Sequence, residues 1–184
     1  MAMDARIRYT KMIIQVNFIS LLKQKPIKRI TVKEICELAE INRATFYKYY
    51  ADAYDLMEKI EDEILQELQG AMESFPKGNI HETLLGILGK MKENGELYMT
   101  LFSGNGDTNF PMKIFRLCYA EFSDYINSLY PKMTKTQQAW LYVYTAQGSC
   151  GILNYWLSDG MAESPAEVAG FIEKLISNTL KNLE

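Results

Sequence analysis

TVKEICELAEINRATFYKYY, residues 31–50, is the stretch of sequence that decides the fold. Thr31 with Glu34 three positions later is a capping-box pattern, which predicts a helix that begins at the next residue. Asn42 is suited to cap a second helix with its side-chain oxygen, so only Glu40 and Ile41 remain for the turn. Two helices joined by so short a turn indicate a helix-turn-helix, the arrangement that places a second helix in the major groove of DNA.

The two faces of this motif support the same interpretation. Apolar residues at helical spacing predict a buried face: Val32, Ile35, Cys36, Ala39, then Phe46 and Tyr50. Polar and aromatic residues of the second helix point outward. Among the candidate DNA contacts, those expected to reach phosphates are Thr31, Lys33, Tyr47, Lys48 and Tyr49. Those expected to reach base edges are Arg43, Ala44 and Thr45.

The run ITVKEICELAEINRATFYKYY, followed by ADAYDL, resembles the DNA-binding domain of TetR/AcrR-type transcriptional regulators. The resemblance covers roughly residues 6–65 and implies a homodimer on a double-stranded DNA operator. Two positions depart from the family pattern. Glu40 stands where the family usually has Gly, and must accept the turn without glycine's freedom at positive φ. Ala53 replaces a Lys that commonly opens the following helix, which removes one expected phosphate contact.

Charge is distributed unevenly along the 184 residues, although the net charge is only −3. Residues 1–60 contain 11 Lys and Arg against 7 Asp and Glu, whereas residues 61–184 contain 9 against 16. A basic N-terminal part on an acidic remainder is what we expect if only the first part meets phosphates.

Other features narrow the class of protein. The sequence lacks the ~18-residue apolar run of a membrane span and begins without the apolar core of a signal peptide, which predicts a cytoplasmic protein with no membrane partner. The three cysteines, Cys36, Cys118 and Cys150, are far apart and odd in number, so we expect buried thiols rather than disulfides or a metal site. No cofactor is expected.

Helical patterns continue to the end of the chain and predict an all-α fold of about nine helices. We expect a three-helix DNA-binding domain over residues 1–52 and a larger helical ligand-binding and dimerisation domain over residues 53–184. A single helix is predicted from Pro111 to about Leu129. A break is predicted at residues 75–78, and a polar loop with two glycines follows residue 102.

The sequence GILNYWLSDGMAESPAEV, residues 151–168, resembles the C-terminal domain of TetR-type regulators similar to the dihydroxyacetone-kinase activator group. The resemblance covers about residues 100–180. It implies that the last two helices pair with their copies in a four-helix dimer interface. Gly inside a helix costs about 1 kcal/mol relative to Ala, so either a close backbone approach or a local bend is expected here. Candidate interface residues are Gly148, Gly151, Ile152, Tyr155, Val168, Phe171, Ile172 and Leu175.

Aromatic residues recur in the central helices and have two interpretations. They line a ligand pocket, or they are ordinary core. The candidates are Tyr98, Phe102, Phe115, Tyr119, Phe122, Tyr142 and Trp156. Because few charged residues share these faces, a pocket here predicts an uncharged or weakly acidic ligand of aromatic size.

Catalysis is not expected, because His81 is the only histidine and no G-x-S-x-G is present. The function predicted is that of a TetR-type regulator that binds a pseudo-palindromic operator as a homodimer, with its DNA affinity modulated by a small-molecule effector. The alternative is a TetR-fold coactivator controlled by a protein partner. Repression and activation are both open.

Overall fold

The computed structural model describes residues 5–73, 79–117 and 119–181. Regular structure within these ranges is entirely helical, which confirms the all-α prediction. A short 3-10 helix, Ile27–Arg29, follows the first helix. The α-helices are α1 (Ala5–Gln24), α2 (Val32–Leu38), α3 (Arg43–Tyr47), α4 (Ala53–Met72), α5 (Ile80–Glu93), α6 (Gly95–Phe102), α7 (Phe110–Leu117), α8 (Tyr119–Leu129), α9 (Lys135–Ser158) and α10 (Pro165–Lys181).

The described ranges therefore hold ten α-helices where about nine were predicted. The additional helix arises only because Cys118, within the segment predicted as one helix from Pro111 to Leu129, lies outside the described residues and so divides that segment into α7 and α8. The predicted break at residues 75–78 also lies outside the described residues.

Predicted helix starts are confirmed by their hydrogen bonds. Thr31 and Thr134 each begin a helix with a complete capping box, in which the side chain of the third helical residue bonds back to the backbone of the cap. Ser164 does the same through Glu167. Side-chain caps of this kind are worth about 1 kcal/mol each and set where a helix begins.

The chain divides into two compact units. Of the described residues, those within 1–64 and 100–108 form the first unit, and those within 65–99 and 109–184 form the second. The core of the first unit is built from side chains fully removed from solvent, among them Ile14, Phe18, Leu22, Ile35 and Phe46. Burial of each such side chain contributes about 1.5–3 kcal/mol, so α1, α2 and α3 are held together mainly by this core.

The polar loop after α6 belongs to the first unit, although it comes from far along the chain. The Asn105 carbonyl accepts the backbone N–H of Ile27 at 2.8 Å, and its side-chain amide donates to the Leu22 carbonyl at 2.9 Å. A Cβ at Gly106 would lie against the terminal methyl group of Met57, which is the flexible end of its side chain. The loop thus satisfies backbone groups where α1 ends.

In the second unit, α10 packs mainly on α5 and only lightly on α9, while α9 packs on α7 and α8. Trp156 is buried and its indole N–H donates to the Glu163 carbonyl at 3.1 Å, which ties α9 to the loop before α10. The Tyr130 hydroxyl donates to the Leu180 carbonyl at 2.8 Å. The light α9–α10 contact leaves space between these helices.

Two of the three predicted buried thiols are confirmed. Cys36 and Cys150 are free and buried, and burial raises the pKa of the Cys150 thiol to about 12, so this sulfur stays protonated. None of the described helices has both the length and the apolar character needed to cross a bilayer.

Candidate nucleic-acid interface and effector cavity

The turn between α2 and α3 is a Schellman motif built on a residue other than glycine. The Ile41 N–H donates to the Cys36 carbonyl at 3.0 Å and the Glu40 N–H to Glu37 at 3.4 Å. Glu40 has φ 52°, the left-handed conformation that costs an L-residue about 1–2 kcal/mol. The sequence-based expectation that Glu40 must tolerate glycine's geometry is confirmed.

The start of α3 is fixed by Asn42. Its side-chain oxygen accepts the Thr45 backbone N–H at 2.8 Å and the Thr45 hydroxyl at 3.0 Å. The predicted base-contacting residues Arg43 and Ala44 are exposed, whereas Thr45 is half-buried and its hydroxyl is engaged by the cap. The structure therefore places Arg43 and Ala44 as the freely accessible members of this group.

The predicted phosphate-contacting residues surround α3 but differ in accessibility. Tyr47 and Lys48 are exposed, and Tyr49 is half-buried. Lys33 is exposed, with its ammonium 3.7 Å from the Glu37 carboxylate. Such an exposed ion pair is weak and leaves the lysine available to a phosphate.

The Thr31 hydroxyl makes its hydrogen bonds within the capping box of α2. It donates to the Glu34 carboxylate at 2.8 Å and accepts the Glu34 N–H at 3.3 Å. Glu34 also receives a hydrogen bond from Lys25 at the end of the first helix. Hydrogen bonds from Lys25 and then Thr31 lower the pKa of the Glu34 carboxyl from its ordinary 4.5 to about 2. The Lys25 contact bridges two helices and has no periodic signal in the sequence.

The end of α3 is held against α4. Phe46 and Tyr50 are buried, with ring centroids 5.6 Å apart. Lys59 donates to the Tyr49 carbonyl and to the Asp55 carboxylate, each at 2.9 Å, and its ammonium lies 5.4 Å from the Tyr50 ring centroid. Burial raises the pKa of the Tyr50 phenol to about 12. Sequence reasoning missed Lys59, which supports α3 from ten residues away.

The second unit carries an exposed aromatic face on α9 and α10, defined here by Trp140, Tyr144, Tyr155, Phe171 and Leu175. Each is between 44 and 70% exposed. These five residues are called the α9–α10 face below. Lys135 is the only charged residue in the 24 residues of α9. A helix exposed on one side with a single charge is typical of a surface that another protein covers.

The predicted interface residues are distributed between this face and the core. Gly148 and Gly151 are exposed, and a Cβ at either would meet no atom within 4 Å in the described structure. Ile152 is half-buried, and Tyr155, Phe171 and Leu175 are on the face. Val168 and Ile172 are buried within the second unit. Sequence reasoning did not single out Trp140 and Tyr144.

Three of the predicted pocket aromatics line one cavity of about 60 Å³, which lies among α5, α7, α8, α9 and α10. The described residues that line it are Ile80, Thr83, Leu84, Phe115, Phe122, Tyr142, Thr145, Ala146, Ser149 and Ile176. The Tyr142 hydroxyl donates to the Phe115 carbonyl at 2.7 Å, which fixes the ring that closes one side.

The other four predicted aromatics do not line this cavity. Tyr119 is 45% exposed and its ring meets Tyr142 edge-on at 4.7 Å. Tyr98 and Trp156 are buried, and burial raises the pKa of the Tyr98 phenol. Phe102 is half-buried and belongs to the first unit.

A groove of about 160 Å³ lies beside the cavity, on the side of the α9–α10 face. Its lining is Tyr144, Thr145, Gly148, Ser149, Ile152, Ile172, Leu175, Ile176 and Thr179. Thr145, Ser149 and Ile176 line both spaces, so these three side chains separate the cavity from the groove.

Comparison with known proteins identifies the family of this chain. Residues 78–178 match the TetR-type family model described as "Transcriptional regulator C-terminal region". The helical fold and this match, which covers more than half of the chain, define a transcriptional regulator rather than an enzyme. The chain belongs to the TetR family of transcriptional regulators.

Individual relatives agree. An uncharacterized HTH-type transcriptional regulator of Bacillus subtilis (strain 168), YxbF, is 23% identical over 166 residues, which are 86% of this chain; the chain spans 42% of the length of that relative. A TetR transcriptional regulator from Streptococcus agalactiae 2603V superposes with a TM-score of 0.70 at 20% identity, covering 94% of this chain and 96% of that one. The dihydroxyacetone kinase operon activator DhaS gives 0.62 at 22%, with the same coverage. At these identities the structural likeness establishes the fold.

Proposed function

We propose that this chain is a homodimeric regulator that binds a pseudo-palindromic operator through α2 and α3, with a DNA affinity modulated by a small molecule bound in the second unit. The observation that carries the proposal is the local construction of α3. It is capped by Asn42, backed by buried Phe46 and Tyr50, and presents Arg43, Ala44 and Lys48 to solvent. A rigid, accessible helix of this composition suits reading of the major groove.

The roles of the exposed residues follow from their chemistry. The Arg43 guanidinium can donate two hydrogen bonds to a guanine edge, and Ala44 leaves room for a thymine methyl group. Lys33, Tyr47 and Lys48 provide phosphate contacts, which position the helix without reading sequence. The fixed Asn42–Thr45 cap keeps the first turn of α3 in one conformation before DNA arrives.

Homodimer formation is supported by the α9–α10 face. Its aromatic residues are exposed, and α9 has no charge after Lys135 that a copy of itself would have to desolvate or repel. A two-fold interface brings identical surfaces together, which the uncharged length of α9 tolerates. The space open to a Cβ at Gly148 and Gly151 agrees with close approach of a second backbone.

Ligand modulation is supported by the cavity lined by Phe115, Phe122 and Tyr142, which has mostly apolar walls and several hydroxyl groups. A ligand changes DNA affinity only through its differential affinity for two states of the protein. The second unit contains a space where such a ligand would contact α5, α7, α8, α9 and α10 at once.

Selection of bound duplexes from a random DNA pool tests the proposal. We expect enrichment of an inverted repeat whose half-site centres are about 34–36 Å apart, or a multiple of one turn. Binding should weaken steeply with salt, because phosphate contacts release counterions. Recovery of unenriched sequences at every salt concentration would contradict DNA reading and favour the coactivator alternative, in which a protein partner is the controlling ligand.

A further inference from the structure

The cavity and the groove of the second unit are separated by very little. Thr145 and Ser149 of α9 and Ile176 of α10 line both spaces. Taken as a whole, α9 and α10 make only light contact with each other. The Ile176 side chain is half-buried and borders both spaces.

Neither space is large enough by itself for a typical effector. The cavity is about 60 Å³ and the groove about 160 Å³, whereas small-molecule sites are usually about 300–1,000 Å³. The groove is also open to solvent along exposed Tyr144, Gly148 and Leu175. A site of ordinary size therefore requires that the two spaces join and that the open side be covered.

The walls define the chemistry of the occupant. The described residues that line the two spaces are uncharged, so a charged ligand would lose its hydration without gaining a partner among them. Phe115, Phe122 and Ile176 supply apolar surface. Hydroxyl groups are concentrated at the junction, where Thr145 and Ser149 lie one helical turn apart. The Thr145 hydroxyl already donates to the Leu141 carbonyl at 2.9 Å, which leaves its lone pairs to accept.

We propose that the effector site is shared between two copies of the chain: an uncharged, elongated, largely apolar molecule with one hydrogen-bonding group passes from the cavity, between Ser149 and Ile176, into the groove, and a second copy seated on the α9–α10 face covers it. The inference rests on the homodimer and effector of the proposed function, and it adds the ligand class and the contribution of the second copy.

The second copy is the occupant that the surface favours. Tyr144 and Leu175 belong both to the α9–α10 face and to the lining of the groove. A copy that buries this face therefore also covers the groove. In the symmetric arrangement each copy closes the site of the other, so one dimer has two equivalent sites.

A shared site makes ligand binding and dimer formation interdependent. The factor by which the dimer tightens ligand binding equals the factor by which the ligand tightens the dimer, because coupling free energies are reciprocal. Dilution into monomers should therefore weaken ligand binding, and saturating ligand should strengthen the dimer.

The test uses the full chain and N-phenyl-1-naphthylamine, an uncharged aromatic amine whose fluorescence rises in apolar sites. Sedimentation velocity over a dilution series gives the dimer dissociation constant with and without saturating amine. We expect the amine to tighten the dimer at least about tenfold, with a matching loss of amine affinity on dilution. An unchanged dimer constant, equal affinity for monomer and dimer, or no binding of the amine would overturn the inference.

Two variants at the separating wall sharpen the test. Ile176→Ala should join the two spaces and tighten amine binding severalfold, whereas Ile176→Phe should fill the junction and weaken it at least about tenfold. Leu157→Ala is the control, because Leu157 is buried on α9 and lines neither space. Equal effects of Ile176→Ala and Leu157→Ala on amine affinity would contradict the shared site.

Operator binding measured on the same samples separates the two levels of the proposal. Loss of operator selection with the amine–dimer coupling intact would overturn the proposed DNA-binding function and leave the shared site standing. Operator selection without any coupling would overturn the shared site alone.

Discussion

The α2–α3 motif and the α9–α10 pair are both two helices joined by a short connection, yet they differ in how many of their apolar side chains are exposed. In α2–α3 the apolar side chains Ile35 and Phe46 are fully buried, and the exposed side is polar. In α9–α10 the buried side is equally apolar, but Tyr155 and Phe171 remain more than half exposed. The first pair is complete within one chain, whereas the second has the composition of half an interface.

In both pairs the first helix ends in the same way. Both α2 and α9 end in a Schellman motif, with the left-handed position held by Glu40 in one and Gly160 in the other. After α9, the Gly160 N–H donates to Leu157 at 3.1 Å and the Met161 N–H to Trp156 at 2.8 Å. The left-handed position of the motif is thus costly at Glu40 and cheap at Gly160, although Met161, which follows Gly160, is also left-handed at φ 58°.

The largest effect is expected from a substitution in the α9–α10 pair. Tyr155→Asp places a charge on the α9–α10 face of both copies, where it would be buried next to a neutral surface. We expect dimer affinity to fall by about 4 kcal/mol, because each central aromatic contributes about 2 kcal/mol or more and a symmetric interface contains it twice. Sedimentation equilibrium measures the change.

The control for that variant is Tyr9→Asp, a tyrosine of α1 that is 60% exposed. It changes charge and side chain equally but lies on the other unit, so the dimer constant should stay as in the unmodified chain. Two variants with the same dimer constant would show that the α9–α10 face is not the interface.

An intermediate effect is expected from substitutions in the α2–α3 motif. Arg43→Ala should cost about 1–3 kcal/mol of specific operator binding and relax the preference at one base position. Lys48→Ala should instead weaken binding to all sequences alike and lower the salt slope by about one. Gel-shift titrations on operator and scrambled duplexes distinguish the two; wild-type affinity of Arg43→Ala for its operator would remove Arg43 from the base-reading group.

The smallest effects concern the two left-handed residues of the Schellman motifs, Glu40 and Gly160. Glu40→Gly should raise the free energy of unfolding by up to about 1 kcal/mol, because it relieves the left-handed strain at φ 52°, less the entropy that glycine loses on folding. Gly160→Ala should lower it by a similar amount for the opposite reason. Urea denaturation followed by circular dichroism measures both, and changes of the same sign would refute the strain argument.

How much of the molecule was predictable depended on the range of the contacts. Thr31, Asn42 and Thr134 act on residues within one helical turn, and their caps were predicted correctly. Other contacts depend on how the helices pack, and no local sequence pattern predicts them. They join Lys25 to Glu34, Lys59 to Tyr49 and Asn105 to Leu22. Periodicity therefore identifies the helices but not what joins them.

The same limit applies to the candidate sites. The last helix has two adjoining apolar stripes, and spacing alone does not say which one faces the core. The structure buries Val168 and Ile172 and exposes Phe171 and Leu175, although all four were grouped together from the sequence. Likewise, Phe115 and Phe122 line the cavity whereas Trp156 does not, because which aromatic side chain borders a space depends on how the surrounding helices pack.

The loop after α6 has a consequence for how this protein can be divided and recombined. Because Asn105 caps the backbone around Leu22 and Ile27, a fragment that stops at residue 64 leaves that N–H and carbonyl to water and uncovers Met57 beside the vacated Gly106. The first unit is therefore not a single continuous segment that can be cut off after residue 64. A chimaera that grafts residues 5–64 onto a relative must also transplant residues 100–108.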